Sequence, residues 1–128
     1  SFLKGLGLVH AISHMIGAIY NTQHGLTNAI ILPKVLNYNK SEILSKINSM
    51  HFSIFNKPGD FDSFYNKVCI LLDDLNIPNN LQSIQVKDDR INELAIKSSK
   101  DSAAFTNPKT ASISDLEIII KETIDKAR

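Results

Sequence analysis

The 128-residue sequence has a single cysteine, only four prolines and five glycines, and almost no excess of either charge. Because Cys69 has no second cysteine to pair with, no disulfide can form within the chain, and we expect a reducing, cytoplasmic environment. The formal net charge is +1 and the basic residues are dispersed, which argues against a nucleic-acid-binding surface. The apolar residues 2–20 are interrupted by Lys4, His10 and His14, so we expect no membrane span.

Apolar residues recur with helical periodicity along the chain, and no segment alternates as a half-buried strand would. The length suits one domain that buries its own core. We therefore predict an all-α helical bundle that forms a single domain over residues 1–128. The sequence begins at Ser1, without Met and in the middle of an apolar pattern, so we expect the natural start to lie upstream.

Residues that favour the N-cap position mark the beginnings of four predicted helices, namely Asn39, Asp60, Asp88 and Ser114. Ser114 is followed three residues later by Glu117, as in a capping box, and Ile113 and Ile118 occupy the positions of a hydrophobic staple.

Apolar stripes predict which face of each helix is buried. After Asp60 the predicted inner face is Phe61, Phe64, Tyr65, Val68, Leu71, Leu72 and Leu75. After Ser114 it is Leu116, Ile119, Ile120, Thr123, Ile124 and Ala127. Shorter stripes follow Asn39 (Ile43, Leu44 and Ile47) and Asp88 (Ile91, Leu94 and Ala95).

Three of the four histidines lie in the otherwise apolar residues 5–25. His10 and His14 are one helical turn apart and project from the same face, so they can bind one metal ion. This spacing alone is weak, because such pairs are often histidines at the rim of a core, each satisfied by a backbone or water hydrogen bond.

His24 tests the metal interpretation geometrically. On a straight helix it would lie about 21 Å from His10, at ~1.5 Å per residue, and the two could not share an ion. The polar residues 21–23 can turn the chain back, however, and a second helix over residues 26–38 would then pack against the first. Such a hairpin can bring His10 and His24 together and leave His14 nearby, without requiring it to ligate.

Two segments resemble the iron-containing, or group III, alcohol dehydrogenases. Residues 5–39, GLGLVHAISHMIGAIYNTQHGLTNAIILPKVLNYN, resemble the family's long histidine-rich signature. Residues 101–124, DSAAFTNPKTASISDLEIIIKETI, resemble its closing Asp-x-Cys-x-x-x-Asn-Pro-Arg segment and the helix after it. The resemblance implies that this chain is the C-terminal all-helical domain, without the dinucleotide-binding domain that precedes it in the family.

The resemblance also implies a site. His10 and His24 would be two ligands of a divalent metal, Fe²⁺ or Zn²⁺, and His14 would be a catalytic residue beside the nicotinamide and the substrate. The complete enzyme would transfer hydride between a small alcohol or aldehyde and NAD(P), which the absent domain would mainly bind. The family's aspartate and third histidine ligands lie upstream of Ser1, so we expect the isolated chain to be inactive.

The chain departs from the family pattern at Ala103, where a cysteine is frequent, and at Lys109, where arginine is usual. His51 matches no ligand position and is expected on the surface or in a loop, and Asn107-Pro108 is expected to shape the loop before the last helix. The alternative function is a non-catalytic helical remnant or an interaction domain. Loss of the α/β domain would expose the apolar wall of the cleft, so we expect a homo-oligomer.

Overall fold

Helices dominate the computed structural model, which describes residues 7–43, 52, 54–56, 59–107 and 109–127. The α-helices are α1 (Gly7–Tyr20), α2 (His24–Tyr38), α3 (Lys40–Ile43), α4 (Phe61–Asp74), α5 (Ile91–Lys100) and α6 (Ile113–Asp125). Two 3₁₀ turns accompany them, η1 (Leu81–Ile84) and η2 (Ser102–Thr106). No strand occurs in these ranges, and the all-α prediction is confirmed. None of the helices in them is both long and apolar enough to cross a bilayer.

Helix α1 lies at the centre of the bundle. It packs against α2, α5 and η2, and α6 packs in turn against α5 and α2. The α1 residues Leu8, Val9, Ile12 and Ile16 are all buried. Because α1 is covered on several sides, the histidines it carries are held by a packed framework rather than by a loose terminal helix.

Helix α4 begins where the sequence predicted it. The Asp60 side chain accepts a hydrogen bond from the backbone N–H of Ser63 at 2.8 Å, as an N-cap does. Its buried face is Phe61, Phe64, Val68 and Leu72. The prediction that Leu71 and Leu75 face inward is wrong, since they are 45% and 62% exposed. Within the described residues α4 packs mainly on α2, so only one side of it is covered.

The predicted start of the last helix is also wrong, by two residues. Ser112 is the N-cap, and it forms a reciprocal capping box with Asp115. Ser114 lies inside the first turn, where its hydroxyl cannot serve the cap. The proposed staple residues Ile113 and Ile118 are 42% and 58% exposed.

The inner face of α6 is confirmed at Leu116, Ile119, Ile120, Thr123 and Ile124. Ala127 does not belong to that face, because the helix ends at Asp125 and Ala127 is exposed.

One other predicted start differs from the structure, the one after Asp88. Helix α5 begins at Ile91, after Arg90, because Asp88 and Asp89 are engaged elsewhere, with Lys121 and Tyr20 respectively. Leu94 and Ala95 are buried as predicted, and Ile91 is partly buried.

The predicted start after Asn39 is confirmed, because α3 begins at Lys40 and the Ile43 N–H donates to Asn39 O at 3.2 Å. Asn39 also ends α2, and its side chain does not cap α3. Its side-chain amide donates to Val35 O at 3.1 Å and to Asn107 Oδ1 at 2.9 Å. Of the stripe predicted after it, Ile43 is buried, whereas Leu44 and Ile47 lie outside the described residues, as does His51.

Two tyrosines tie helix ends to distant parts of the chain. The Tyr20 hydroxyl donates to Asp89 Oδ1 at 2.6 Å, and the Tyr38 hydroxyl lies 3.0 Å from Asp115 Oδ2. Burial, followed by the hydrogen bond to the neighbouring carboxylate, raises the pKa of each phenol to about 12. Both tyrosines therefore stay protonated donors at any ordinary pH, and Tyr38 holds the residue that completes the α6 capping box.

The position of the α6 cap gives a direct stability test. We expect Ser112→Ala to lower the free energy of unfolding by about 1 kcal/mol, since it removes the cap acceptor for Asp115 N–H. Ser114→Ala serves as the matched control and should change stability by less than about 0.5 kcal/mol. Urea-induced unfolding followed by circular dichroism measures both, and a larger loss for Ser114→Ala would contradict the assigned cap.

Candidate metal and histidine site

A tight reversal joins α1 to α2. Asn21 adopts the left-handed conformation, with φ of 55°, and its N–H donates to Gly17 O at 2.9 Å. Gln23 is the N-cap of α2, where its side-chain oxygen accepts from Leu26 N–H. The Thr27 hydroxyl oxygen lies 2.8 Å from Thr22 Oγ1 and 2.8 Å from Gln23 O, and it can donate to either acceptor. Residues 21–23 thus turn the chain as the sequence predicted.

The reversal brings three histidine rings together. The ring centroids of His10 and His24 are 5.9 Å apart, those of His14 and His24 are 5.2 Å apart, and those of His10 and His14 are 6.4 Å apart. The predicted convergence of His10 and His24 is therefore confirmed. We refer to these three side chains as the histidine cluster.

Both ring nitrogens of His24 have protein partners. Ser13 Oγ lies 3.1 Å from Nδ1, and the side-chain nitrogen of Asn28 lies 3.2 Å from Nε2. With the amide in this orientation Asn28 donates to Nε2, so Nδ1 carries the proton and donates to Ser13. Asn28 Oδ1 is buried and has no hydrogen-bond partner among the described residues.

His14 is held from a distant part of the sequence. Its Nδ1 lies 3.3 Å from Asp101 Oδ2, although the His14 side chain is 50% exposed and that of Asp101 only 14%. The other carboxylate oxygen of Asp101 accepts from the Ala103 N–H at 2.8 Å. Asp101 therefore joins α1 to the start of η2.

Glycine at position 7 lets η2 approach α1. A Cβ at this position would overlap Ala103 O and Thr106 Oγ1, so any side chain would push η2 away. The approach places Asp101, just before η2, beside the face of α1 that carries His14.

His10 is the cluster member with the clearest electrostatic perturbation. Burial lowers its pKa below the ordinary 6.5, and the neighbouring His24 and His14 lower it further, against a smaller opposing effect of Asp101. At neutral pH the His10 ring is accordingly uncharged, which is the form that ligates a metal ion.

The donor chemistry of the cluster suits a borderline transition metal, since neutral imidazoles bind iron and zinc. In the part of the chain that the structure describes, no group of three or more His, Cys, Asp or Glu side chains has the arrangement to hold a metal ion. His10 and His24 can therefore offer two nitrogen donors, which is only part of the coordination sphere of a metal ion. A metal on His24 Nε2 would replace the Asn28 contact.

Sequence reasoning identified the three histidines but not their polar supports. Asn28 follows His24 by one helical turn, a spacing that could have suggested the contact. Ser13 and Asp101 carried no comparable local signal, because Ser13 is eleven residues from His24 and Asp101 is 87 residues from His14.

The sequence profile of the "Fe-containing alcohol dehydrogenase family, C-terminal" matches residues 3–124. The chain belongs to this family. Its fold agrees, because it superposes on a crystal structure of 1,3-propanediol oxidoreductase with a TM-score of 0.82 at 26% sequence identity. That match covers 91% of this chain and 32% of the other.

Two similar relatives illustrate the family. Lactaldehyde reductase of Escherichia coli K12 is 32% identical over 118 residues, which cover 88% of this chain and 31% of that protein. The NAD-dependent methanol dehydrogenase of Bacillus methanolicus is 31% identical, over 94% of this chain and 33% of its own length. The chain thus spans about a third of the relatives it matches, and corresponds to the C-terminal domain of these oxidoreductases.

The lowered pKa of His10 predicts a loss of stability in acid. The unfolded chain takes up a proton at the ordinary pKa of 6.5, whereas the folded chain does so only at lower pH. The contribution of the neutral His10 ring to the free energy of unfolding is therefore complete above pH 6.5. It is lost as the pH falls from 6.5 toward the pKa of His10 in the folded chain. NMR titration of the His10 ring in metal-free protein should give a midpoint below 6.5.

Replacing a neighbouring imidazole separates the two causes. In His24→Asn the His10 midpoint should rise, because one repelling charge is removed, yet stay below 6.5 because burial remains. A wild-type midpoint at or above 6.5 would contradict the assigned environment.

Proposed function

We propose that this chain supplies part of the metal centre of an NAD(P)-linked alcohol dehydrogenase acting on a small alcohol or aldehyde. The observation that carries the proposal is the convergence of His10, His14 and His24, with ring centroids 5.2 to 6.4 Å apart, in a member of this family. His10 and His24 would hold Fe²⁺ or Zn²⁺ together with ligands from outside the described residues. His14 would be the catalytic residue that accepts or relays the proton of the alcohol.

The division of roles follows from the surroundings of each ring. His10 is partly buried with a lowered pKa, so it is present as a neutral donor at physiological pH. His24 approaches His10 from α2, with Ser13 Oγ 3.1 Å from its Nδ1 and the side-chain nitrogen of Asn28 3.2 Å from its Nε2. His14 is half exposed and tied to a carboxylate, which suits proton transfer better than ligation.

A bound divalent metal would polarise the alcohol oxygen as a Lewis acid, and the nicotinamide would accept the hydride. The other requirements fall on the protein. The α1–α2 reversal holds the imidazoles at fixed separations. The proposed location is the cytoplasm, in keeping with a single cysteine in 128 residues, which cannot form a disulfide within the chain.

Metal titration of the chain, purified without a histidine tag and stripped with chelator, tests the proposal. We expect calorimetry with Zn²⁺, and with Fe²⁺ under anaerobic conditions, to show binding that weakens at least about tenfold in His10→Ala and in His24→Ala. His14→Ala is the matched control, an imidazole lost from the same cluster, and should bind nearly as the unmodified chain does.

Equal binding by all three variants, or loss only in His14→Ala, would contradict the ligand assignment. The same preparation should show no alcohol-dependent reduction of NAD, because the chain spans about a third of its relatives' length. Turnover by the 128-residue chain would contradict that expectation.

A self-associating helical domain is the second candidate, and one observation favours it. Ile70, Leu71 and Leu75 on the outer side of α4 are 45–62% exposed. Clustered exposed apolar side chains on a soluble domain favour association. We propose that the chain forms a homo-oligomer through this part of α4.

Light scattering over a range of concentrations measures this association. We expect Leu75→Glu to weaken it by at least about tenfold, since burying a leucine is worth roughly 1.5–3 kcal/mol. Asn37→Glu adds the same charge at an exposed position of α2 and should leave the mass unchanged. A strict monomer at high concentration would rule out the homo-oligomer.

A further inference from the structure

We propose that Asp101 is a positioning residue that fixes the tautomer of His14, so that the proton sits on Nδ1 and the lone pair on Nε2. The contact is specific, with Asp101 Oδ2 3.3 Å from His14 Nδ1. An ionised carboxylate can only accept hydrogen bonds, so the imidazole nitrogen that faces it must donate. A neutral imidazole has one proton, and Nε2 is left unprotonated.

The second carboxylate oxygen makes the orientation of Asp101 unambiguous. Oδ1 accepts from the Ala103 N–H at 2.8 Å, which is the N-cap hydrogen bond of η2. With Oδ1 committed to the backbone, Oδ2 is the atom presented to His14. Oδ1 therefore caps η2, and Oδ2 contacts His14.

The backbone around Asp101 is held on both sides. Asp101 ends α5, where its N–H donates to Ser98 O at 3.2 Å, and it begins η2, where its carbonyl accepts from Ala104 N–H at 3.0 Å. The η2 turn is seated on α1 through the space left by Gly7. A carboxylate fixed in this way can orient the half-exposed ring of His14.

The consequence concerns the atom that would receive a proton. An unconstrained histidine side chain in water favours the tautomer with the proton on Nε2, and in that tautomer Nε2 can only donate. The Asp101 contact reverses this preference and leaves Nε2 of His14 as an acceptor. A role for this acceptor in taking the alcohol proton rests on the proposed function, whereas the tautomer itself does not.

Nitrogen-15 NMR of the histidine rings, on the metal-free full chain at about pH 8, where an ordinary imidazole is neutral, tests the assignment. His14 should show a protonated, pyrrole-type Nδ1 and an unprotonated, pyridine-type Nε2. In Asp101→Asn, Oδ1 still accepts from Ala103 N–H, so the amide nitrogen takes the place of Oδ2 and donates to Nδ1. We expect the two nitrogen signals to exchange character, with the proton now on Nε2.

Asp101→Ser is the matched control for the cap. A serine hydroxyl can still cap η2 but is too short to reach His14, so the tautomer should relax toward that of an unconstrained histidine side chain. Circular dichroism should be unchanged in both variants, because each retains the cap. A wild-type His14 protonated on Nε2, or variants that keep the wild-type tautomer, would overturn the proposal.

The outcome is separable from that of the metal titration. The tautomer measurement needs no metal, nicotinamide or alcohol, so its failure removes the positioning role and leaves the ligand assignment standing. Conversely, an absence of metal binding through His10 and His24 would not change which His14 nitrogen faces Asp101.

Discussion

The reversal between α1 and α2 is the constraint on which the rest of the site depends. On one continuous helix His10 and His24 would stand about 21 Å apart, too far for any shared chemistry. The left-handed Asn21 and the Gln23 cap end one helix and begin the next within three residues. The ring centroids consequently lie 5.9 Å apart. A turn this short leaves little freedom in how α2 meets α1, so the separation of the imidazoles is set by backbone geometry.

A second constraint fastens the C-terminal part of the chain onto this hairpin. At one end of the connection, Gly7 admits η2 against α1 and places Asp101 beside His14. At the other end, Asn39 and Asn107 exchange two amide hydrogen bonds, of 2.9 and 2.7 Å, and Asn39 is fully buried. Buried amides that satisfy each other are strongly directional, so the loop has one register against α2. Asn107 thus shapes the loop before α6, as its sequence neighbourhood indicated.

Helix positions and N-caps are predictable from the sequence where the residues that determine them are close together in the chain. Periodicity placed the helices, and Asp60 was recognised because a single capping residue precedes its stripe. The α6 cap was missed because Ser112-Asp115 and Ser114-Glu117 have the same spacing, and local chemistry does not choose between them. Tyr38, far away in sequence, contacts Asp115 and favours the first pair.

The other errors have the same origin. An apolar stripe predicts which face of a helix points to the core, but not how wide the buried part of that face is. Helix α4 lies at the edge of the bundle, so Leu71 and Leu75 remain exposed. The histidines themselves were recognisable from residues 5–39 as a resemblance. The supports of the cluster were not, because Asp101 reaches His14 only through tertiary packing.

The electrostatics of the cluster explain why three imidazoles can share so small a space. If all were protonated, like charges with ring centroids within 6.4 Å would repel one another, and the partly buried His10 would also lose solvation. The fold therefore favours an uncharged His10 ring, whose pKa is lowered first by burial and then by the neighbouring imidazoles. Neutral imidazoles have a free lone pair, which is what both metal ligation and proton acceptance require. The packing that disfavours charge on His10 thus prepares this ring for the metal ligation proposed here.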